Sequence, residues 1–203
     1  MGTLLRLVPP APALARVLGV DEPTADRAFR AEVAYYVVHH LEGSDPSSLG
    51  DLRRRCAAVL AESAGTDPAR ALDALMGSLR FEPWEDAAPA LVQLREAGLR
   101  LVVVSNWDCS LPEVLDGIGL GALVDAVVTS AVVGAAKPDP RIFEAALEAA
   151  GCAPGEAVHV GDSPEQDLMG AIGAGLRGLL LDRSGSPGTG TVTSLSELPS
   201  LLS

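Results

Sequence analysis

Leu99-Arg100-Leu101-Val102-Val103-Val104-Ser105-Asn106-Trp107-Asp108 is the stretch on which the reading of this chain turns. Leu99 to Val104 is short, apolar and rich in valine, entered after Gly98 and left through Ser105 and Asn106, which marks a strand. A helix, Ala87 to Ala97, precedes it with Gly98 as its stop, and Leu111 to Ile118 reads as a short helix after it. The same alternation continues downstream. Strands are expected at Ala126 to Thr129, Ala157 to Val160 and Gly178 to Leu181, with helices Arg141 to Ala150 and Glu165 to Ala174 between them, stopped by Gly151 and Gly175. Continuously apolar strands alternating with helices predict an α/β fold with a parallel sheet covered on both faces. Gly185 to Gly190 reads as a flexible loop, and Leu195, Leu198 and Leu202 mark a short last helix.

Upstream the period changes. From Asp21 to Leu79 the pattern is helical, with Phe29, Val33, Tyr36, Val37 and Leu41 at steps of three and four, Asp21 or Thr24 as a cap, and Gly43 after the end. Pro46 to Ala64 and Pro68 to Leu79 give two more helices behind Asp45 and Asp67. This part is expected to be a small helical bundle.

Composition narrows the function classes. In 203 residues there are 15 Lys and Arg against 27 Asp and Glu, a formal net charge of −12, so nucleic acid is not expected as a partner. Cys56, Cys109 and Cys152 are odd in number and far apart, without a CxxC pair, which predicts free thiols in a reducing, cytoplasmic compartment. No run approaches a membrane span, and Pro9 and Pro10 break the apolar start before it becomes a signal sequence.

In a parallel sheet, ligands bind beyond the carboxyl ends of the strands, and the residues there are polar. One strand delivers Ser105, Asn106 and Asp108; another delivers Gly161, Asp162 and Ser163, with Asp167 five positions after Asp162; and Lys137 precedes that strand. Carboxylates suit a hard cation such as Mg2+, while hydroxyl, amide and ammonium groups suit phosphoryl oxygens. Blander readings exist for several: Asp108 or Asp139 as a cap or turn residue, His39 and His40 as helix-face residues, and Tyr35, Tyr36 and Trp84 as packing. Gly173-Ala174-Gly175-Leu176-Arg177-Gly178 satisfies GxGxxG but runs from helix into strand, so it reads as a helix stop and a close packing contact, not a dinucleotide site.

At these positions the chain resembles a haloacid dehalogenase (HAD) superfamily hydrolase with a helical cap. Val102 to Asp108 resembles that family's second motif, Lys137-Pro138-Asp139-Pro140-Arg141-Ile142-Phe143 its third, and Val160-Gly161-Asp162-Ser163 through Asp167 its fourth. The resemblance implies a three-layer Rossmann-like core formed by residues 1–15 and 81–203, with 16–80 as the cap. It implies a Mg2+-dependent phosphohydrolase acting on a small phosphorylated metabolite through an aspartyl-phosphate. Ser105, Asn106 and Lys137 would be catalytic and bind the phosphoryl group with Gly2 and Thr3, while Asp162 and Asp167 would hold the metal. The family's first motif, Asp-x-Asp-Gly-Thr-Leu, matches this chain only from Gly2-Thr3-Leu4 onward. Aligned so, the nucleophilic aspartate falls two residues before Met1 and Met1 takes the place of the second, which implies a start within the first motif and an impaired enzyme as written. A metal-independent dehalogenase and a non-catalytic phosphate-binding protein of the same fold are the alternatives.

Overall fold

The short antiparallel ribbon formed by β1 (Leu5–Leu7) and β2 (Phe81–Pro83) carries the chain from its sheet into its helical bundle and back, with Leu5 opposite Pro83 and Leu7 opposite Phe81. The computed structural model describes residues 2–185 and 190–202.

Between the two ribbon strands lie α1 (Ala11–Leu18), α2 (Glu22–His39), α3 (Pro46–Ala64) and α4 (Pro68–Ser78). Each of the last three starts on an aspartate whose carboxylate accepts from backbone amides left over in the first turn: Asp21 from Thr24, Asp45 from Ser47 and Ser48, Asp67 from Ala69 and Arg70. Leu14, Leu52, Leu60 and Leu75 meet in one buried cluster between the four helices. Ala11, Leu14 and Leu18 of α1 belong to it, so the bundle begins ahead of residue 16, where the sequence reading drew the boundary. The Pro9-Pro10 pair hid this helix: proline stops what precedes it but is well tolerated at a helix start.

After β2 come α5 (Ala87–Glu96), β3 (Val102–Ser105), α6 (Leu111–Gly117), β4 (Ala126–Thr129), α7 (Ser130–Val133), α8 (Pro140–Ala150), β5 (Val158–Gly161), α9 (Gly170–Gly173), β6 (Arg177–Leu181), β7 (Thr191–Val192) and α10 (Leu198–Leu202). β3 and β4 pair in parallel, Val102 beside Ala126 and Ser105 beside Thr129. β5, β6 and β7 form a second parallel piece. Side chains alternate across both pieces. Val103, Val158 and Val160 pack with Leu91, Leu115 and Leu198 on the face of α5, α6 and α10, whereas Val102, Val104 and Ala157 pack with Ile142, Phe143 and Ala171 on the face of α8 and α9. This is the α/β three-layer arrangement expected from the alternating pattern.

Three expectations are corrected. The valines of β3 and β5 are half-buried where buried strands were expected, beside the break between the two parallel pieces, the gap that the resemblance implied where the family's central strand is not in the sequence. The helix expected at Glu165 to Ala174 is a π-helical turn, Pro164–Met169, followed by α9. The Leu168 amide reaches back to Ser163 O at 3.2 Å, and this wide turn carries Asp167 inward under the end of β5. β7, two residues long, was not foreseen, being too short for periodicity to register. Of the loop expected at Gly185 to Gly190, residues 186–189 lie outside the described residues. No helix among the described residues is long and apolar enough to cross a membrane.

Candidate active site

The carboxyl ends of β3 and β5 and the loop before α8 converge on Lys137. Its ammonium, with a side chain 11% exposed, donates to Val104 O at 3.1 Å and to Asp167 Oδ1 at 2.6 Å. Asp167 Oδ1 also lies 2.8 Å from His159 Nε2, and Oδ2 accepts from the Ser163 amide at 3.0 Å. Facing an acceptor-only carboxylate, His159 Nε2 is assigned the proton. Burial alone would raise the Asp167 carboxyl, but the hydrogen bond from His159 and the charge and hydrogen bond of Lys137 outweigh it and hold the group well below the usual carboxylate range. Gly161 makes the inward turn of Asp167 possible, since a Cβ there would stand 2.1 Å from Asp167 Cγ. Gly178 does the same service for packing: a Cβ would meet Leu168 Cδ1 at 2.8 Å, the close contact expected of that glycine run.

Asn106 is a clamp. Its Oδ1 accepts from the Lys137 amide at 2.7 Å while its Nδ2 donates to Lys137 O at 3.0 Å and more loosely to Gln166 Oε1 at 3.3 Å. The Asn106 carboxamide thereby holds the lysine loop at the sheet edge. Ser105 is different: its side chain makes no hydrogen bond among the described residues and lines the cavity above the sheet edge. The turn after β3 is fastened by Ser130, whose Oγ accepts from the Trp107 amide and donates to Trp107 O.

Gly2 and Thr3 reach the same edge. Thr3 Oγ1 donates to Asp162 Oδ1 at 2.7 Å, and the carbonyls of Gly2 and Thr3 accept from Arg183, which also forms a bidentate pair with Asp86. Sequence reasoning missed Arg183 and His159. The signal for His159 was legible as a lone polar residue inside the apolar run Val158 to Gly161, while Arg183, in a loop, left none.

The bundle roofs this edge. Tyr36 Oη donates to Asp108 Oδ2 at 2.8 Å and the Cys109 amide donates to Gly43 O at 2.9 Å, tying α2 and the following turn to the loop after β3. Asp108 also accepts from the amide and hydroxyl of Ser110, so it is a turn residue. Burial, then the Asp108 charge, pushes the Tyr36 hydroxyl up. Glu32, 6% exposed, lies deeper in the roof, where burial pushes its carboxyl up to about 7 against a weaker opposing hydrogen bond with Cys56. Tyr36, Glu32, Arg53, Ser105, Asn106, Lys137 and Asp162 line one cavity of about 1070 Å³.

The magnesium site expected at Asp162 and Asp167 is incomplete in this chain's own donors. Both Asp167 oxygens are engaged, Asp162 is the exposed carboxylate, and no group of three His, Cys, Asp or Glu suited to a metal occurs among the described residues. Asp139 is the cap of α8, accepting from the Arg141 amide and pairing with its guanidinium.

Residues 20–175 match the model of the haloacid dehalogenase-like hydrolases. The chain belongs to this family. Among curated HAD proteins it is 43% identical over 97 residues to haloacid dehalogenase-like hydrolase domain-containing protein 3 of Bos taurus, covering 48% of this chain and 39% of that one. It is 38% identical over 143 residues to a phosphoserine phosphatase of Thermus thermophilus, covering 68% of this chain and 57% of that protein. The chain therefore spans well under two thirds of these relatives. A HAD phosphatase from Thermococcus onnurineus superposes with a TM-score of 0.67 at 26% identity, covering 100% of this chain and 94% of that one. As a HAD-like hydrolase by family, this chain keeps the Lys137–Asp167 centre at its sheet edge.

Proposed function

We propose that the chain is the body of a phosphohydrolase for a small phosphate monoester. The observation that carries this is the nearly buried Lys137 ammonium, fixed between Val104 O and Asp167 at the mouth of a cavity that also presents Ser105. An ammonium and a hydroxyl in a site shielded from water favour an anion and the further charge of its transition state. Asp167 pairs with the lysine and holds it in place, Asn106 holds its loop, and the helical bundle, acting as a cap, limits competing water. The phosphatase names among the relatives support the substrate class.

Magnesium belongs to this reading through Asp162, the accessible carboxylate, with Asp167 behind it as a positioning group. With so few donors of its own, the chain supports no step derived through the ion. Neither Asp108, held by Ser110 and Tyr36, nor Asp167, held by Lys137 and His159, is free to act as the aspartate nucleophile that the family implies.

Binding is therefore the first test. Titration of inorganic phosphate by calorimetry should show binding that weakens at least about tenfold in Lys137→Met, a loss of the order expected for a charge-assisted hydrogen bond. Equal affinity in both proteins would remove the phosphoryl assignment, and chloride release from 2-chloropropionate without added metal would replace it with dehalogenation.

A further inference from the structure

The cavity at the carboxyl ends of β3 and β5 has two unlike parts. Below Lys137 its walls are the valines of the two strands, whereas above it the helical bundle contributes Tyr36, His40 and Arg53. Two of these three carry polar atoms without a partner. Arg53, half-buried on α3, makes no hydrogen bond or ion pair among the described residues, although Arg54 and Arg55 beside it both pair with Asp51. His40 is 9% exposed; its Nδ1 lies 2.9 Å from Val37 O, and its Nε2 is buried with no partner among the described residues. Because a carbonyl only accepts, the proton sits on Nδ1, and Nε2 of the neutral ring carries the lone pair. A buried acceptor left open in this way is costly until something donates to it.

We propose that Arg53 and His40 bind the leaving group of the substrate and that this group is a hydroxy acid, its carboxylate paired with Arg53 and its hydroxyl donating to His40 Nε2. The proposal rests on the reading of Lys137 as the phosphoryl site. Both groups stand by the loop that follows β3. Leu52, next to Arg53, closes on Asp108 across Gly43, where a Cβ would lie 3.3 Å from Leu52 Cδ2 and 2.9 Å from Asp108 Cβ. Burial and then the Asp108 charge push the Cys109 thiol up, and the nearby Arg53 charge works against them. One turn ahead of His40, Tyr36 donates to Asp108, and just after it Gly43 O accepts from the Cys109 amide. A phosphate monoester seated on Lys137 has valines beneath it, so a polar leaving group finds partners only on the roof side. The acids in reach leave Arg53 unmatched: Asp108 accepts from Tyr36 and Ser110, Asp45 caps α3, and Glu32, pushed up to about 7 by burial, is at least half-protonated at and below neutral pH. One guanidinium balances one negative charge, so a carboxylate fits, whereas a second phosphate dianion would leave a charge unpaired away from water.

The test is calorimetry on the full chain at neutral pH with inorganic phosphate and three phosphate monoesters. 3-Phosphoglycerate and glycerol 3-phosphate differ only in a carboxylate against a hydroxymethyl group, and 3-(phosphonooxy)propionate is the first of these without its hydroxyl. 3-Phosphoglycerate should bind at least about tenfold more tightly than glycerol 3-phosphate, as a charge-assisted pair implies, and about threefold more tightly than the propionate. Arg53→Met should bring the first preference close to unity, while Arg54→Met, at an exposed position of the same helix, should keep it. His40→Leu should abolish the second preference. Each preference is a ratio measured within one protein, so a general loss of stability does not mimic it. Equal binding of the three monoesters, or preferences that survive Arg53→Met and His40→Leu, overturn the proposal. If phosphate and the monoesters bind alike and all weaken in Lys137→Met, the phosphoryl reading stands and this one falls; if none binds, inorganic phosphate included, both fall.

Discussion

The helical bundle and the parallel layer each bury an apolar cluster, yet they close differently. In the bundle Leu14, Leu52 and Leu60 are fully buried and aspartates cap three of the four helices, whereas in the layer the valines of β3 and β5 stay half-buried along a cavity. The difference lies in where the backbone finds its partners. A helix satisfies its own amides and carbonyls except at its ends, so four amphipathic helices seal a core with side chains alone. A strand needs a neighbour on each edge, so its burial is decided by chain that is distant in sequence.

The polar bridge and the bundle core should therefore fail for different reasons. Asp167→Asn strikes the bridge and should have the largest effect, about 4 kcal/mol by denaturant unfolding, because it leaves the nearly buried Lys137 without its counter-charge and disturbs the hydrogen bond to His159. If the loss is below ~1 kcal/mol, the bridge does not hold the half-sheets together. In the sealed bundle, Leu60→Ala should cost about 3 kcal/mol through the cavity it opens.

Glu32 tests the same seal electrostatically. Its folded carboxyl titrates at about 7 against an ordinary 4.5, so the folded state holds a proton that the unfolded chain releases sooner. Stability should fall as pH rises from 4.5 to about 7 and then level off. Glu32→Gln should remove that slope and add up to about 3 kcal/mol at pH 8; melting curves that fall as steeply in the variant would show that Glu32 is not buried in the way described. The smallest effect belongs to the broken layer: Val103→Ala, already facing a cavity, should cost less than ~1 kcal/mol. A cost equal to that of Leu60→Ala would mean that the layer is as tightly filled as the bundle and would erase the contrast.

Much was legible in the residues themselves. Asp21, Asp45 and Asp67 announced their helices, the valine runs their strands, and Ser105, Lys137, Asp162 and Asp167 the edge at which they collect, because capping, periodicity and strand-end position are local properties. α1 was hidden behind two prolines, and the π-helical turn by a period that still looked helical. The protein partners of Asp167 were not readable: its spacing from Asp162 marked it for the site, and its hydrogen bonds go to Lys137 and His159.

Local sequence thus determined which segments are helices, which are strands, and which polar residues follow the strands, since these depend on interactions within a few residues. Only the tertiary structure decided that Asn106 clamps a loop, that Arg183 anchors Gly2 and Thr3, and that His159 shares Asp167 with Lys137. Each of these joins residues from separate parts of the chain, and no local pattern encodes which partner a carboxamide, a guanidinium or a strand edge will meet.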